Sequence, residues 1–449
     1  MQKYDMLKDN PGKSLFFFAL PMILGNLFQQ FYNMADSIIV GKFVGEDALA
    51  AVGASYSLTT VFIMIAIGGG IGASVLTSQY MGAGEYKKMK TSVYTALISF
   101  FAVSMIMLIF GMAMKEQLLL LLNTPGNIFE DSVLYLKIYF IGLPFLFMYN
   151  VLSAVFNALG KSQIPLYLLI FSSLLNVVLD LYMVIVLNMA VAGVAIATVI
   201  AQGISAVISF VILMRTLKNY GSITEKAEQL YSITMLKKMV YIAIPSILQQ
   251  SIVSIGMLLV QSVVNGFGSS ALAGYSAGMR IESVCIVPMI ATGNAISTFT
   301  AQNLGASQTE RVRKGYYAGY KIIVAFAILI CIVLSLFHKQ IISAFVDQES
   351  GMEAFTVGNS YLKFIGFFFA MIGFKSITDG VLRGSGDMII FTIANLVNLG
   401  IRVFVAFRFA PVWGIQAVWY AVPMGWTANY MISFSRYLTG NWSKRDIIN

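Results

Sequence analysis

The segment Ala19-Leu20-Pro21 lies near the start of the first long apolar stretch and recurs 224 residues later as Ala243-Ile244-Pro245. Three further segments recur at nearly the same offset: Ala48–Ala50 as Ala271–Ala273, Thr77–Ala83 (TSQYMGA) as Thr300–Ala306 (TAQNLGA), and Tyr135–Lys137 as Tyr361–Lys363. Four matching pairs in one order indicate an internal duplication. The chain is therefore expected to consist of two related halves.

Composition predicts that both halves lie in a membrane. Apolar residues make up 58% of the 449 residues and charged residues 11%, whereas soluble domains average about 25% charged residues. A membrane-crossing helix needs about 20 apolar residues. Twelve apolar stretches, numbered here as spans 1 to 12, lie at 15–44, 53–80, 91–114, 133–158, 164–187, 189–214, 237–264, 277–300, 316–337, 361–382, 388–409 and 412–436. We expect an all-α integral membrane protein with twelve transmembrane helices in two pseudo-symmetric lobes of six.

The distribution of Lys and Arg predicts the orientation. If the N-terminus is cytoplasmic, nineteen of the 29 basic residues fall on the cytoplasmic side, six on the opposite side and four within spans. The positive-inside rule then places both termini in the cytoplasm of a bacterial plasma membrane. Topology also accounts for the net charge of +9, so no nucleic-acid partner is expected. We predict an N-terminal lobe at 1–214, a cytoplasmic linker at 215–236 and a C-terminal lobe at 237–449, in a protein that is a monomer in the lipid bilayer.

Two acids within the spans of the first half indicate a functional site. A carboxylate at bilayer depth costs at least about 2.5 kcal/mol, yet Asp36 lies in span 1 and Asp180 in span 5, at a similar depth. Asn176 lies one helical turn before Asp180, and Thr198 in span 6 reaches a similar level. These four oxygen-bearing side chains fit a transient Na⁺ and fit equally well a proton shared by two acids. The plainer alternative is that they only hydrogen-bond neighbouring helices.

The second half differs at the matching positions. Asp180 aligns with Arg402, and Asp36 aligns with an apolar residue near Val260. Cation binding is therefore expected in the first lobe alone. Arg402 and Lys375 need a counter-charge, and Glu282 is the nearest candidate by depth, in a polar network that is either functional or purely structural.

Pro21, in the first turns of span 1, removes a backbone donor and permits a bend. We expect ion binding at Asp36 to alter this bend, and a static kink is the alternative.

Other classes of function lack their motifs. Gly12-Lys13-Ser14 and Gly160-Lys161-Ser162 resemble the end of a phosphate-binding loop, but each lacks the required earlier glycine. The single histidine, His338, has no partner at metal-binding spacing. The chain is therefore not expected to be an enzyme or to carry a cofactor or a resident metal.

Taken together, the residues resemble the multidrug and toxic compound extrusion (MATE) family. The resemblance is carried by Pro21 to Asp36 followed by Val40-Gly41, by the paired Gln79–Ala83 and Gln302–Ala306 segments, and by Arg280–Ser283. It implies efflux of amphipathic, cationic or aromatic small molecules by antiport against H⁺ or Na⁺, with alternating access between two lobes.

The resemblance also implies a branch of the family. In the DinF-like branch, a first-lobe site is similar to Asp36, Asn176, Asp180 and Thr198. The NorM type uses a glutamate in the seventh helix, where this chain has Gln249 and Gln250. The alternative function is that of a lipid-linked oligosaccharide flippase from the related superfamily. Such flippases typically have extra helices and a strongly cationic cleft, so twelve spans with few buried bases argue against this alternative.

Overall fold

The structure is a computed structural model that describes residues 4–221, 227–345 and 351–444. These residues form helices joined by short turns. The α-helices, in chain order, are α1 (Pro11–Ile39), α2 (Glu46–Gly82), α3 (Tyr86–Leu121), α4 (Gly126–Ala158), α5 (Gln163–Leu181), α6 (Ala190–Leu217), α7 (Ile233–Asn265), α8 (Ser269–Cys285), α9 (Val287–Gly305), α10 (Thr309–Ser343), α11 (Met352–Ile365), α12 (Phe369–Ser385), α13 (Met388–Trp413) and α14 (Gln416–Leu438).

The expected fold class is confirmed. Within the described ranges, eleven helical segments are long and apolar enough to cross a membrane; α8 with α9, and α11 with α12, each form one such segment. The twelfth predicted span corresponds to α14, whose 23 residues are long enough to cross but include several polar side chains. Several helices extend past the predicted spans, as α3 does relative to 91–114, because hydropathy marks the apolar part of a helix and not its polar ends.

The chain packs as two compact units. One unit is Leu24–Ile247, and the other combines the residues up to Ile23 with those from Leu248 onward. Each boundary falls two residues after a proline within a helix, Pro21 in α1 and Pro245 in α7. The first part of each of these two helices therefore packs with the half of the chain to which it does not belong by sequence.

The start of α1 is held in the second unit by hydrogen bonds to α9 and α10. Arg311 donates through Nη2 (3.0 Å) and Nε (3.2 Å) to the carbonyl of Met6, and Nη2 also bonds the carbonyl of Asp9. Asn303 donates to the same Met6 carbonyl at 3.3 Å. These bonds satisfy the backbone of the segment before α1 and fix where the helix begins.

In the Leu24–Ile247 unit, α2, α3 and α4 share an apolar core centred on Phe62, Phe140 and Phe147. In the other unit, α9 and α12 approach so closely that a Cβ built at Gly380 lies 2.3 Å from the carbonyl oxygen of Gly293. Only glycine fits at this contact. The close approach brings α12 side chains within hydrogen-bond distance of α9.

Candidate functional site

Asp36 and Asp180 interact directly in the structure. Asp36 lies near the end of α1, and Asp180 lies near the end of α5 and has no exposed surface. The two carboxyl groups lie close enough to interact with each other. The folded chain therefore brings together two acids that the sequence places at a similar depth.

Asn176 and Thr198 join the two acids. The Asn176 amide is assigned in the orientation that gives both its nitrogen and its oxygen a hydrogen-bond partner. In this orientation, Nδ2 donates to Asp180 Oδ2 at 3.0 Å, and Oδ1 accepts from the backbone N–H of Thr198 at 3.1 Å. The Thr198 Oγ1 atom lies 3.3 Å from the same amide oxygen. Asn176 is 2% exposed. The amide therefore links α5 to α6 and holds the Asp180 carboxyl in one position.

Two tyrosines complete this site and were missed from the sequence. The Tyr32 hydroxyl hydrogen-bonds the Asn176 side chain, and Tyr135 packs against an apolar cluster that includes Val40 and Val184, each four residues after one of the acids. Tyr32 precedes Asp36 by one helical turn, so helical spacing alone could have indicated it. Tyr135 belongs to one of the repeated segments that revealed the duplication, but its depth was not compared with that of the acids.

A π-helical segment follows each acid. Val40–Val44 continues α1 just after Asp36, and Tyr182–Val186 continues α5 just after Asp180. Such segments are rare and occur frequently at functional sites. Val40 and Val184, one from each segment, pack in one buried apolar cluster. This cluster therefore joins the two π-helical segments that follow the acids.

The arrangement can bind one cation or one shared proton. The Oδ1 atoms of Asp36 and Asp180 are both buried, and neither has a hydrogen-bond partner among the described residues. An unpaired buried carboxylate oxygen is costly. A proton, or a hard cation that also uses the neutral oxygens of Asn176 and Thr198, would satisfy these atoms. In the described ranges no cluster of three or more His, Cys, Asp and Glu side chains exists, so the ligand set rests on two acids and neutral groups.

The polar groups of the second half divide into two clusters. Glu282 on α8 is 4% exposed, accepts a hydrogen bond from the Tyr361 hydroxyl, and interacts electrostatically with Arg402 on α13. The pairing of Glu282 with Arg402 stays a prediction. Tyr361 is the repeat counterpart of Tyr135, so both halves place a tyrosine next to a buried acid.

Lys375 has a different partner from the one expected. Its Nζ atom lies 3.0 Å from Asp379 Oδ2, one turn along α12, and not beside Glu282. The comparison of depths between helices overlooked Asp379, although a spacing of four residues along one helix is the simplest way to pair two charges. The expected single network of Glu282, Arg402 and Lys375 is therefore corrected to two separate networks.

A family comparison matches most of the chain. The MatE family model matches residues 21–182 and 245–407. The two matches begin at Pro21 and Pro245, which are the last residues of the first pair of repeated segments, Ala19–Pro21 and Ala243–Pro245.

Known proteins of similar sequence and structure agree with this match. The chain is 29% identical over 443 residues, 98% of both chains, to the probable multidrug resistance protein YpnP of Bacillus subtilis. It is 25% identical over 361 residues, 78% of both chains, to an FAD transporter of Shewanella oneidensis. Among solved structures, a MATE protein in complex with MaL6 has the same fold, with a TM-score of 0.90, 23% identity and 98% coverage of both chains. A MOP superfamily transporter from Pyrococcus furiosus has a TM-score of 0.90 at 22% identity, again over 98% of both chains. The chain is thus a multi-pass membrane protein that belongs to the MatE family, the multidrug and toxic compound extrusion transporters.

Proposed function

We propose that this protein exports amphipathic small molecules from the bacterial cell in exchange for inward movement of H⁺ or Na⁺, and that Asp36 and Asp180 form the coupling site. The observation that carries the proposal is the proximity of these two carboxyl groups, each with a buried Oδ1 atom that has no hydrogen-bond partner among the described residues. The charge of the pair changes when an ion binds, so ion binding alters the cost of burying the site. The MatE match and the multidrug resistance relatives support efflux as the direction of transport.

The coupling site belongs to one lobe in this proposal, as in the DinF-like branch. In the second half, Arg402 occupies the position that aligns with Asp180 and already supplies a positive charge. Both termini are cytoplasmic, as the distribution of basic residues predicts, and access to the substrate site alternates between the two faces of the membrane. The protein acts as a monomer and uses no cofactor.

Pro21 supplies the flexible point. The part of α1 up to Ile23 packs with the second half, and Pro21 lies two residues before its end. Asp36 lies in the following part of α1, which packs with the first half. A helix that contributes to both units must bend if the units move, and the missing backbone donor at a proline lowers the cost of bending there. Ion release at Asp36 is therefore coupled to the shape of α1.

Dye efflux from proteoliposomes tests the proposal. An imposed pH gradient and an imposed Na⁺ gradient are applied separately to wild-type protein, Asp36→Asn and Asp180→Asn. Wild-type protein should move a fluorescent cationic dye under one of the two gradients, and both variants should lose gradient-driven transport while retaining a folded elution profile. Asp47→Asn is the matched control, because Asp47 is exposed and accepts a hydrogen bond from the Asn127 amide at 3.3 Å.

Gradient-driven dye transport in both variants at the wild-type rate would overturn the coupling site. Absence of dye transport in wild-type protein, with translocation of a lipid-linked saccharide in the same vesicles, would instead support the flippase function.

A further inference from the structure

Three buried charges follow one another along α12. Lys375, Asp379 and Arg383 are spaced by four residues, so they lie along one side of the helix. They are 8%, 4% and 7% exposed. We call these three residues the stripe. With two positive charges and one negative charge, the stripe has a net charge of +1.

The hydrogen bonds of the stripe do not include a second carboxylate that would balance its positive charge. Asp379 accepts from Lys375 Nζ (3.0 Å), from Ser433 Oγ (2.7 Å) and from Asn395 Nδ2 (3.4 Å). Arg383 reaches only neutral acceptors on α9, with Asn294 Oδ1 at 2.7 Å as the shortest contact, followed by Ser297 Oγ (3.3 Å) and the carbonyl of Gly293 (3.4 Å). Within the described residues, the ion pair of the stripe is that of Lys375 with its own Asp379, and the next buried acid along the chain, Asp387, pairs with Arg436. An unbalanced buried charge is costly, so the stripe is incomplete without an anion.

Two side chains have N–H donors that could bind this anion. An ammonium group has three N–H donors, and among the described residues Lys375 Nζ uses one of them, for Asp379. The Lys375 side chain keeps 11% of its surface exposed, which leaves a small accessible edge. Asn429 on α14 is fully buried, and its Nδ2 has no partner in the described part of the chain.

Aromatic rings lie on the same two helices as these donors. Phe374 precedes Lys375 on α12, and Tyr430 follows Asn429 on α14, with the two ring centroids 5.9 Å apart. Tyr430 stacks on Phe434 at 5.3 Å, and all three rings are half-buried. An unbalanced cation and half-buried rings on one pair of helices suit a flat aromatic molecule that carries a negative group.

We propose that Lys375, with Arg383 and Asn429, forms a subsite for the carboxylate or phosphate of an aromatic substrate, whose ring packs against Phe374 and Tyr430. The proposal rests on the proposed export function and adds to its substrates compounds that combine an aromatic ring with one negatively charged oxygen group. It adds an anion-selective contact in the second half to the cation site of the first half.

Binding of two matched dyes tests the subsite independently of ion coupling. Rhodamine 110 has a free carboxylate, and rhodamine 123 is its methyl ester. Their dissociation constants are measured by fluorescence anisotropy on the purified full chain in phosphatidylcholine nanodiscs. Loss of one charge-assisted hydrogen bond weakens binding by about tenfold or more. Lys375→Met should therefore raise the dissociation constant of rhodamine 110 by about this factor and leave that of rhodamine 123 within about twofold. Lys375→Arg, which keeps the charge, should retain most of the preference.

Two further variants keep the test decisive. Lys375→Met leaves Asp379 buried without its cation, so Lys375→Met/Asp379→Leu removes both charges and should show the same selective loss in a stable protein. Lys321→Met, at an exposed lysine on α10 of the same half, should bind both dyes as wild-type protein does.

A lipid phosphate is the competing source of the anion. Native mass spectrometry of protein from phosphatidylglycerol nanodiscs counts tightly retained lipid. Loss of a retained phosphatidylglycerol in Lys375→Met with an unchanged dye preference would assign the anion to lipid and overturn the substrate subsite. An unchanged dye preference and unchanged lipid retention in both Lys375 variants would overturn the anion site altogether. Since dye binding needs no ion gradient, failure of the coupling proposal leaves these outcomes unaffected.

Discussion

Replacing Asn176 by Leu removes one polar group from the Asp36 and Asp180 site and keeps the number and branching of the side-chain heavy atoms. The amide donates to Asp180 Oδ2 at 3.0 Å and contacts Tyr32 and Thr198. It is 2% exposed, and Asp180 is fully buried. Solvent therefore does not replace the lost hydrogen bond, and the carboxylate of Asp180 loses a neutral donor that favours its charged form.

The size of the effect follows from that one bond. A hydrogen bond to a charged group is worth about 1.5–3 kcal/mol, and each 1.4 kcal/mol is about a tenfold change in an equilibrium constant. Asn176→Leu should therefore change the ion affinity of the pair by about 10- to 100-fold.

The sign of the change identifies the coupling ion. If the ion is H⁺, the less stabilised carboxylate holds its proton more tightly, and the pH of half-maximal transport rises by about 1 to 2 units. If the ion is Na⁺, the site loses the amide oxygen and part of the stabilisation of its charged form, so the Na⁺ concentration for half-maximal transport rises by about 10- to 100-fold. Initial rates of dye efflux from proteoliposomes, titrated with pH at fixed Na⁺ and with Na⁺ at fixed pH, separate the two results.

Asn150→Leu is the matched control. Asn150 lies on α4 in the same unit, is partly buried, and donates to the Leu146 carbonyl at 2.8 Å. Its substitution should leave both titrations unchanged. If Asn176→Leu folds and both half-saturation points stay within about twofold of wild type, the amide does not act on the ion, and the assignment of the site fails.

Two structural predictions follow from single contacts. Gly380→Ala places a Cβ 2.3 Å from a backbone oxygen of α9, so it should lower the melting temperature of the detergent-purified protein by an amount equivalent to about 1–3 kcal/mol. Gly400→Ala, where a Cβ meets open space, should leave it unchanged or raise it, and equal melting temperatures of the two variants would contradict the packing argument. Arg311→Ala removes three bonds to the segment before α1 and should speed amide hydrogen exchange within residues 4–10. Arg313→Ala removes only an exposed ion pair with Glu310 (2.9 Å), and the same increase in this control would show that the anchor is not specific.

The architecture could be predicted because its physical signals are long and redundant. Twelve apolar stretches and a duplication that begins at Pro21 and Pro245 indicate a two-lobed membrane protein without any knowledge of contacts. The start of α1 packs with the second half, and the start of α7 packs with the first half. This arrangement could not be predicted, because the hydropathy of a segment does not depend on which half it packs against. The π-helical segments after Asp36 and Asp180 also leave no signal in hydropathy.

The candidate site was predictable only where a charge at bilayer depth required an explanation. Asp36 and Asp180 are notable by charge alone, and Asn176 follows from its helical spacing to Asp180. Tyr32 and Tyr135 were missed because a tyrosine in an apolar span is ordinary at membrane interfaces and in helix packing. Asp379 was missed because the comparison of depths between helices favoured Glu282 as the partner of Lys375, whereas the actual ion pair lies along one helix.

The same duplicated helices carry opposite charges in the two halves, and this difference constrains how an ion can drive transport. At the position of Asp180 in the first half, the second half has Arg402, a cation that is part of the chain and cannot be released. In the proposed transport cycle, Glu282 keeps Arg402 as its positive neighbour, whereas the Asp36 and Asp180 pair gains and loses an ion. If both halves bound exchangeable ions, each would change its burial cost on ion release. Under the proposal that the first half alone does so, the free energy of the ion gradient acts through α1 and α5, and the buried cations of the second half are available to bind the substrate.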